Sequence, residues 1–241
     1  RYQTTRADQI AAIAIVLTAL DADGVMIIEG PDQGSKRSTV RALETFARRF
    51  DLRTSKAIHG FASETEQEIA FLYDPARITA HHLPLGEPAP AVGATGAPRF
   101  DTSLRADLDL DGVEEQIRFS KPPLELAITA NGHALRLIGV HAKSKTPHGK
   151  MSEAAFIRHS IENRRKQLAE CQWLRRRIDS HLEQGDSLIV LGDFNDGPGL
   201  DEYEKLFGHS GVEIAMGLTA APELQLYDPY ACMALAQRTG L

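Results

Sequence analysis

The residues with the clearest chemical use stand together at Gly192-Asp193-Phe194-Asn195-Asp196, directly after the apolar run Leu188-Ile189-Val190-Leu191. Side chains alternate along a strand, so a strand ending in Gly-Asp-x-Asn presents the Asp193 carboxylate and the Asn195 carboxamide on one face of its C-terminal end. A carboxylate there can orient or deprotonate a water, and a neutral amide can hydrogen-bond a phosphoryl oxygen without repelling it. The plainer use of the same residues is an Asx turn, with Asp193 satisfying nearby backbone amides. The run before them is apolar enough to predict a buried strand.

His141 closes a second apolar run, Leu137-Ile138-Gly139-Val140, and is followed by Lys143, Ser144 and Lys145, with Lys150 further on. An imidazole beside a cationic loop suits a phosphate ester; a strand-end histidine also serves often as a structural hydrogen bonder. Glu29 ends a third run, Val25-Met26-Ile27-Ile28. A carboxylate at a buried strand terminus needs a cation or several donors, and magnesium would supply the cation with few protein ligands. Capping of the next loop through Gly30 and Ser35 is the simpler role.

Four segments, in this order, resemble the endonuclease/exonuclease/phosphatase superfamily, the deoxyribonuclease-I-like fold, in a bacterial-type member. Gly24-Val25-Met26-Ile27-Ile28-Glu29 is similar to the helix-to-strand step that ends on a metal-binding Glu. Arg118-Phe119-Ser120-Lys121-Pro122-Pro123-Leu124 resembles the Phe-Ser/Asn-Arg-x-Pro stretch of the deoxyribonuclease branch. The run from Leu137 to Ser144 resembles the strand ending in the first catalytic His, and Gly192-Asp193-Phe194-Asn195 the family signature. The matches span roughly residues 8 to 200.

The resemblance implies an α+β fold, a four-layer α/β/β/α sandwich of two mainly antiparallel sheets, and a metal-dependent phosphoesterase. It gives Glu29 to Mg2+ (or Mn2+), Asp193 to the attacking water, Asn195 to a phosphoryl oxygen, and His141 to the pentacoordinate state or the leaving group. Lys121 and Lys143 would face the substrate. A Glu before a Phe-Leu-Tyr-x-Pro strand, here Phe71-Leu72-Tyr73-Asp74-Pro75, would orient the histidine; strict register puts Gln67 there, with Glu68 beside it as the candidate. The expected substrate is a phosphodiester, with nucleic acid ahead of lipid or soluble head groups. The alternatives are a lipid or small-metabolite phosphodiesterase or phosphatase, and a catalytically inactive binding module. The family's terminal Ser-Asp-His is missing from residues 218–241, and its opening Asn-bearing strand would precede Arg1. The chain is therefore read as a single domain over 1–241 without its first and last strands.

Composition narrows the rest. In 241 residues, 42% are hydrophobic and 25% charged, as in ordinary globular proteins, and no apolar run approaches a membrane span of about 18 residues. A net charge of −6 disfavours a generally nucleic-acid-binding surface while leaving room for a local basic groove. The two cysteines, Cys171 and Cys232, form no disulfide framework or zinc site. Arg1 rather than Met opens the chain, so the lack of a leader sequence says little of compartment. Asp107-x-Asp109-x-Asp111-Gly112 begins like a calcium loop, but Arg118 stands where the bidentate Glu belongs, so it reads as an acidic turn.

The elements that must position these residues follow from periodicity. Helices are predicted from 4 or 5 to about 22, with Ile10, Ile13, Ala14 and Leu17 inward, and over 38–50 and 152–183. The last carries the inner stripe Ile157, Ile161, Leu168, Cys171, Leu174 and Ile178, with Arg164, Arg165, Lys166, Arg175, Arg176 and Arg177 read as its solvated faces. Strands are predicted at 25–28, 68–73, 78–83, 115–120, 124–130, 134–141 and 187–192, with a type I′ hairpin at Asn131-Gly132. Residues 84–98 read as a surface loop and 200–207 as a short helix.

Overall fold

Within the strand Glu68–Tyr73 the residues 69–72 are apolar on both alternating faces, and the structure, a computed structural model, buries both. It describes residues 4–88, 96–107, 112–147, 149–197 and 208–229. In chain order the described elements are α1 (Arg6–Leu20), β1 (Gly24–Gly30), α2 (Thr39–Arg49), β2 (Lys56–His59), β3 (Glu68–Tyr73), β4 (Ile78–His82), β5 (Leu104–Ala106), β6 (Glu115–Ile117), β7 (Leu124–Ala130), β8 (His133–His141), α3 (Glu153–Glu183), β9 (Leu188–Asp193) and α4 (Gly211–Met216). A 3-10 turn follows at Pro222–Leu224. The protein is thus α+β, with antiparallel pairing in all three sheets. Its chain divides into two compact units, neither of them one continuous stretch.

The first unit comprises Arg1–Pro84, Lys121–Val140 and Ile189–Gly192. It holds a three-stranded sheet in the order β1-β3-β2 and, apart from its end residues, a four-stranded sheet in the order β4-β7-β8-β9. Alternation along β3 joins its layers. Ile69 and Phe71 pack into a core with Ile78, Ala80, Leu124, Leu126, Ile128 and Leu137 of the other sheet, while Ala70 and Leu72 pack with Leu43 and Ala47 of α2. The layers within this unit are therefore helix, sheet, sheet. Gly139 lets the sheets approach, since a Cβ there would lie 2.5 Å from Met26 Sδ. The β7–β8 hairpin turns at Asn131 (φ 50°) and Gly132 (φ 80°), as the Asn-Gly pair predicts, and sets Ile128 opposite Leu135.

Three expectations for this unit need correction. α1 forms, with a reciprocal cap between Thr5 and Asp8, but Ile10 and Ile13 are exposed and only Ala14 is buried. Its residues are apolar around the whole circumference, so periodicity had no polar face with which to choose an inner one. β9 is not a buried strand; it is last in its sheet order, and Ile189 is 51% exposed. β2 was not foreseen because Lys56-Ala57-Ile58-His59 is short and lacks a clean alternation.

The second unit comprises Leu85–Ser120, His141–Leu188 and Asp193–Leu241 and is organised by α3. Phe100, Phe119 and Trp173 form an aromatic cluster with ring centroids 5.1–5.7 Å apart. Trp173 Nε1 donates to the Pro98 carbonyl (2.9 Å), so the side chain is fully buried with its donor satisfied. α4 lies against α3, where a Cβ on Gly211 would meet Cys171 Sγ at 2.8 Å.

The basic residues of α3 depart from the expected solvated surface: Arg164, Arg175 and Arg177 are buried. Arg175 donates to the Ala215 and Leu224 carbonyls and pairs with Asp179; Arg177 donates to the Leu85, Ala97 and Pro98 carbonyls. Segments packed on several sides of the helix bring loop carbonyls that need donors, and guanidinium groups supply them. Ile157, placed on the inner stripe, is 40% exposed. The strand expected at 115–120 stops at Ile117, while Leu104–Ala106 is an unforeseen strand paired with it. The predicted helix at 200–207, Cys232, Asp109 and Asp111 lie outside the described residues, as does part of the 84–98 loop. Among the described residues no helix is long and apolar enough to cross a membrane.

Arg53 ties three acidic groups of the first unit together, pairing with Asp21, Asp23 (2.5 Å) and Asp74 (3.1 Å). The Ala76 amide, and then the Arg53 guanidinium, hold the Asp74 carboxyl below its ordinary value. A carboxyl that titrates lower folded than unfolded stabilises above its unfolded pKa, and that contribution is lost as pH falls through the folded value. Asp74→Asn is therefore expected to lower the urea midpoint at about pH 7, with the gap to the parent closing towards about pH 3. Parallel urea titrations at the two pH values check this; a gap unchanged with pH would count against it.

Candidate active site

The ends of β8 and β9 carry the candidate side chains His141 and Asp193, both counted with the second unit. Gly192 makes the approach of the two strands possible. Its φ is +141°, and a Cβ there would collide with the Val140 carbonyl oxygen. Past the strand ends the backbone contact continues, with the Ala142 amide donating to the Asp193 carbonyl (2.9 Å).

Asp193 then turns the chain. Its Oδ1 accepts from the Asn195 amide (2.8 Å), the Asx turn that the residue types predict. Asn195 adopts φ 50°, and its Nδ2 donates back to the Ala142 carbonyl (2.9 Å). One amide hydrogen of Asn195 is thereby committed to bridging the two strand ends. Asp193 Oδ2 lies 3.7 Å from His141 Nε2, too long for a hydrogen bond and close enough for an ion pair once the imidazole is protonated. The imidazole is only 4% exposed, whereas the Asp193 side chain is 52% exposed. The carboxylate is what this cluster presents to solvent, with the imidazole covered beside it.

Several residues without an assigned role complete the cluster. Asp196, with a side chain 1% exposed, accepts from Lys145 Nζ (2.8 Å) and from the Gly197 (2.9 Å) and Gly211 (2.6 Å) amides. Lys145, expected in the substrate loop, is thus paired with a buried carboxylate. Gln167 and Glu170 reach the same loops from α3: Gln167 Nε2 donates to the Phe194 (2.8 Å) and Asn195 (3.0 Å) carbonyls, and Glu170 accepts from the Lys143 amide (2.7 Å). Lys166 donates to Ser120 Oγ (3.0 Å). A signal for Gln167 existed. Counting back along the stripe Ile178, Leu174, Cys171 at helical spacing reaches position 167, so a polar residue sits on a buried face.

The remaining candidates, Lys143 excepted, belong with the first unit. Glu29 is not at a buried terminus; a register shift in β1 between Ile27 and Gly30 gives it φ 62° and turns it outward. The desolvation cost that marked it from sequence therefore does not apply. Glu68, not Gln67, is the fully buried member of its pair. Its carboxylate accepts from the Gln33 (3.2 Å) and Ser63 (2.9 Å) amides and meets His59 Nε2 at 3.2 Å, so His59 is the histidine it holds. Lys121 is half-buried beside Pro122, as is Lys143 in the second unit.

Among the described residues no three His, Cys, Asp or Glu side chains converge as a metal cage. An outward carboxylate such as Glu29 is the donor that magnesium takes when it keeps most of its waters. The donor chemistry of Glu29 fits a largely hydrated Mg2+ or Mn2+.

No protein-family model and no curated protein matches this chain. Among solved structures it is similar to a humanized D. rerio TDP2 carrying 14 mutations (TM-score 0.40, 12% identity, 85% of this chain and 60% of that one). It is also similar to D. rerio TDP2 complexed with a single-strand DNA product (0.39, 13%, 84% and 58%). A functionally unknown conserved protein from Enterococcus faecalis V583 gives 0.40, 13%, 84% and 64%. The chain thus spans 58–64% of the length of these structures.

Cys171 neighbours this cluster on α3. Burial, reinforced by the carboxylates of Glu170 and Asp196, pushes its thiol well above the usual range. A thiol kept protonated and covered is a poor nucleophile. Iodoacetamide at about pH 8 is expected to leave Cys171 unmodified in the folded protein and to label it in denaturant, as read by peptide mass mapping. Labelling at equal rates in both states would show that α3 does not shelter it.

Proposed function

We propose that this protein is a metal-dependent phosphoesterase that hydrolyses phosphodiester bonds. The observation that carries the proposal is the pairing of Asp193 Oδ2 with His141 Nε2 at 3.7 Å, on a loop that Asn195 ties to both strand ends. Asp193, the exposed member, would hold the attacking water and take its proton as the new P–O bond forms. His141 would stabilise the negative charge on the oxygens of the pentacoordinate phosphoryl group or, when protonated, supply the proton that leaves with the alkoxide. The Asn195 amide would hold a phosphoryl oxygen without repelling it. Glu29 would hold Mg2+ or Mn2+, which when bound neutralises negative charge on the phosphate. Lys121 and Lys143 would contact substrate phosphates. Glu68, through His59 and two loop amides, would act on loop geometry. The proposal carries with it the fourth, helical layer of an α/β/β/α sandwich.

A nucleic-acid substrate agrees with Phe119-Ser120-Lys121-x-Pro and the lysines after His141, and would be bound through phosphates, with strong salt dependence and little sequence preference. The net charge of −6 favours instead a small diester or a lipid head group. One observation favours a second reading, a binding module without turnover: the imidazole is almost fully covered.

Asp193→Asn is expected to retain the fold and to lower turnover by at least about a hundredfold, because shape is kept and a proton acceptor is lost. Steady-state rates within threefold of the parent would refute the assigned role. A chelator is expected to abolish activity and Mg2+ or Mn2+ to restore it, with Glu29→Gln shifting the metal titration to higher concentration; superimposable titrations would remove Glu29 from the metal. Cleavage of plasmid, single-stranded oligonucleotide, bis-p-nitrophenyl phosphate and p-nitrophenyl phosphate at low and high salt sorts the substrates. Turnover of the monoester alone would overturn the diester assignment, and binding of any of these without turnover would favour the second reading.

A further inference from the structure

We propose that Gln167 and Glu170 of α3 are positioning residues that set the approach of Asp193 to His141. The proposal rests on the hydrolase reading above. Both residues are 1% exposed, and each side chain grips the backbone just beyond one of the two strand ends. Glu170 accepts from the amide of Lys143, two residues after His141; Gln167 donates to the carbonyls of Phe194 and Asn195, directly after Asp193.

The Gln167 contact is specific in what it demands. A single carboxamide nitrogen can serve two successive carbonyls only where the chain turns both to one side, and the left-handed Asn195 (φ 50°) provides that turn. The same residue donates its amide to Asp193 Oδ1 and its side-chain Nδ2 to the Ala142 carbonyl, so its placement links both strand ends. Gln167 therefore holds the turn whose Asn195 amide bonds the Asp193 carboxylate, at a residue in the left-handed region. Glu170 and Gln167 lie three positions apart and so project from one helix face. A rigid helix turn spans the two loops, and the spacing of two side chains on it becomes the spacing of the two strand ends. A misplacement of about 1 Å in such a pair can cost on the order of a hundredfold in rate.

Gln167→Met keeps volume and removes both donors. It is expected to lower kcat for bis-p-nitrophenyl phosphate by about 10- to 100-fold with KM little changed, since nothing that touches substrate is removed. Placed in an Asp193→Asn background it should add almost no further loss, because it acts through Asp193. Glu170→Met should behave alike, and Glu170→Gln, which keeps an oxygen for the Lys143 amide, should recover most of the rate lost. Hydrogen exchange gives a readout independent of turnover: the amides of residues 193–196 should exchange faster in Gln167→Met while those of the aromatic cluster do not. Unchanged kcat together with unchanged exchange at 193–196 would overturn the proposal, as would full additivity with Asp193→Asn. A parent protein inactive on every ester, with exchange at 193–196 still responding, would sink the hydrolase reading and leave the backbone clamp standing. Should Gln167→Met fail to fold, the Glu170 pair decides alone: equal rates for Glu170→Met and Glu170→Gln would overturn the proposal.

Discussion

Burial of one strand on both faces is the constraint from which the first unit follows. β3 offers water nothing along Ile69-Ala70-Phe71-Leu72, so each face must find an apolar partner. One face takes α2, whose Leu43 and Ala47 fit the small and medium side chains Ala70 and Leu72. The other takes the second sheet, against Ile69 and Phe71. Residues elsewhere are chosen to let that happen: Gly139 gives room to Met26, and the Asn131-Gly132 turn fixes the register that brings Leu126, Ile128 and Leu137 to the shared core.

The second unit solves a different problem. α3 is long, passes several loops and buries many polar groups, so its stability depends on donors meeting acceptors as well as on apolar contact. Arg175 and Arg177 donate to loop carbonyls, as Gln167 does after Asp193, while Glu170 accepts from the Lys143 amide. Neutral or paired hydrogen bonding inside is less forgiving than apolar packing, since removing one partner strands the other. It also fixes geometry more tightly, because two donors and two acceptors agree in only one arrangement.

Much of this was legible in the chain. The runs around Glu68–Tyr73, Leu124–Ala130 and His133–His141 form where alternation and the turn pair put them, and α3 begins and ends within a residue of its periodic pattern. The strand-end positions of His141 and Asp193 followed from the same signals. What periodicity could not carry was the side each residue faces when its neighbours are all alike, as in α1, or when a bulge resets the alternation, as at Glu29. Charge misled in α3, where a run of arginines was read as a solvated surface although the helix is enclosed on several sides. The polar residues on the inner stripe were the informative ones, and they lead to the loops around Asp193.

The aromatic cluster has a practical consequence. Trp173 is the sole tryptophan of the chain, and it sits wholly within the second unit, dry and with its indole N–H bonded to a carbonyl. Its fluorescence is therefore an intrinsic optical reporter of that unit alone, blue-shifted while the cluster is closed and red-shifted when water enters. Circular dichroism sums over the backbone of both units. Comparing the two signals through one denaturation would reveal whether the units melt as a single cooperative body or in succession.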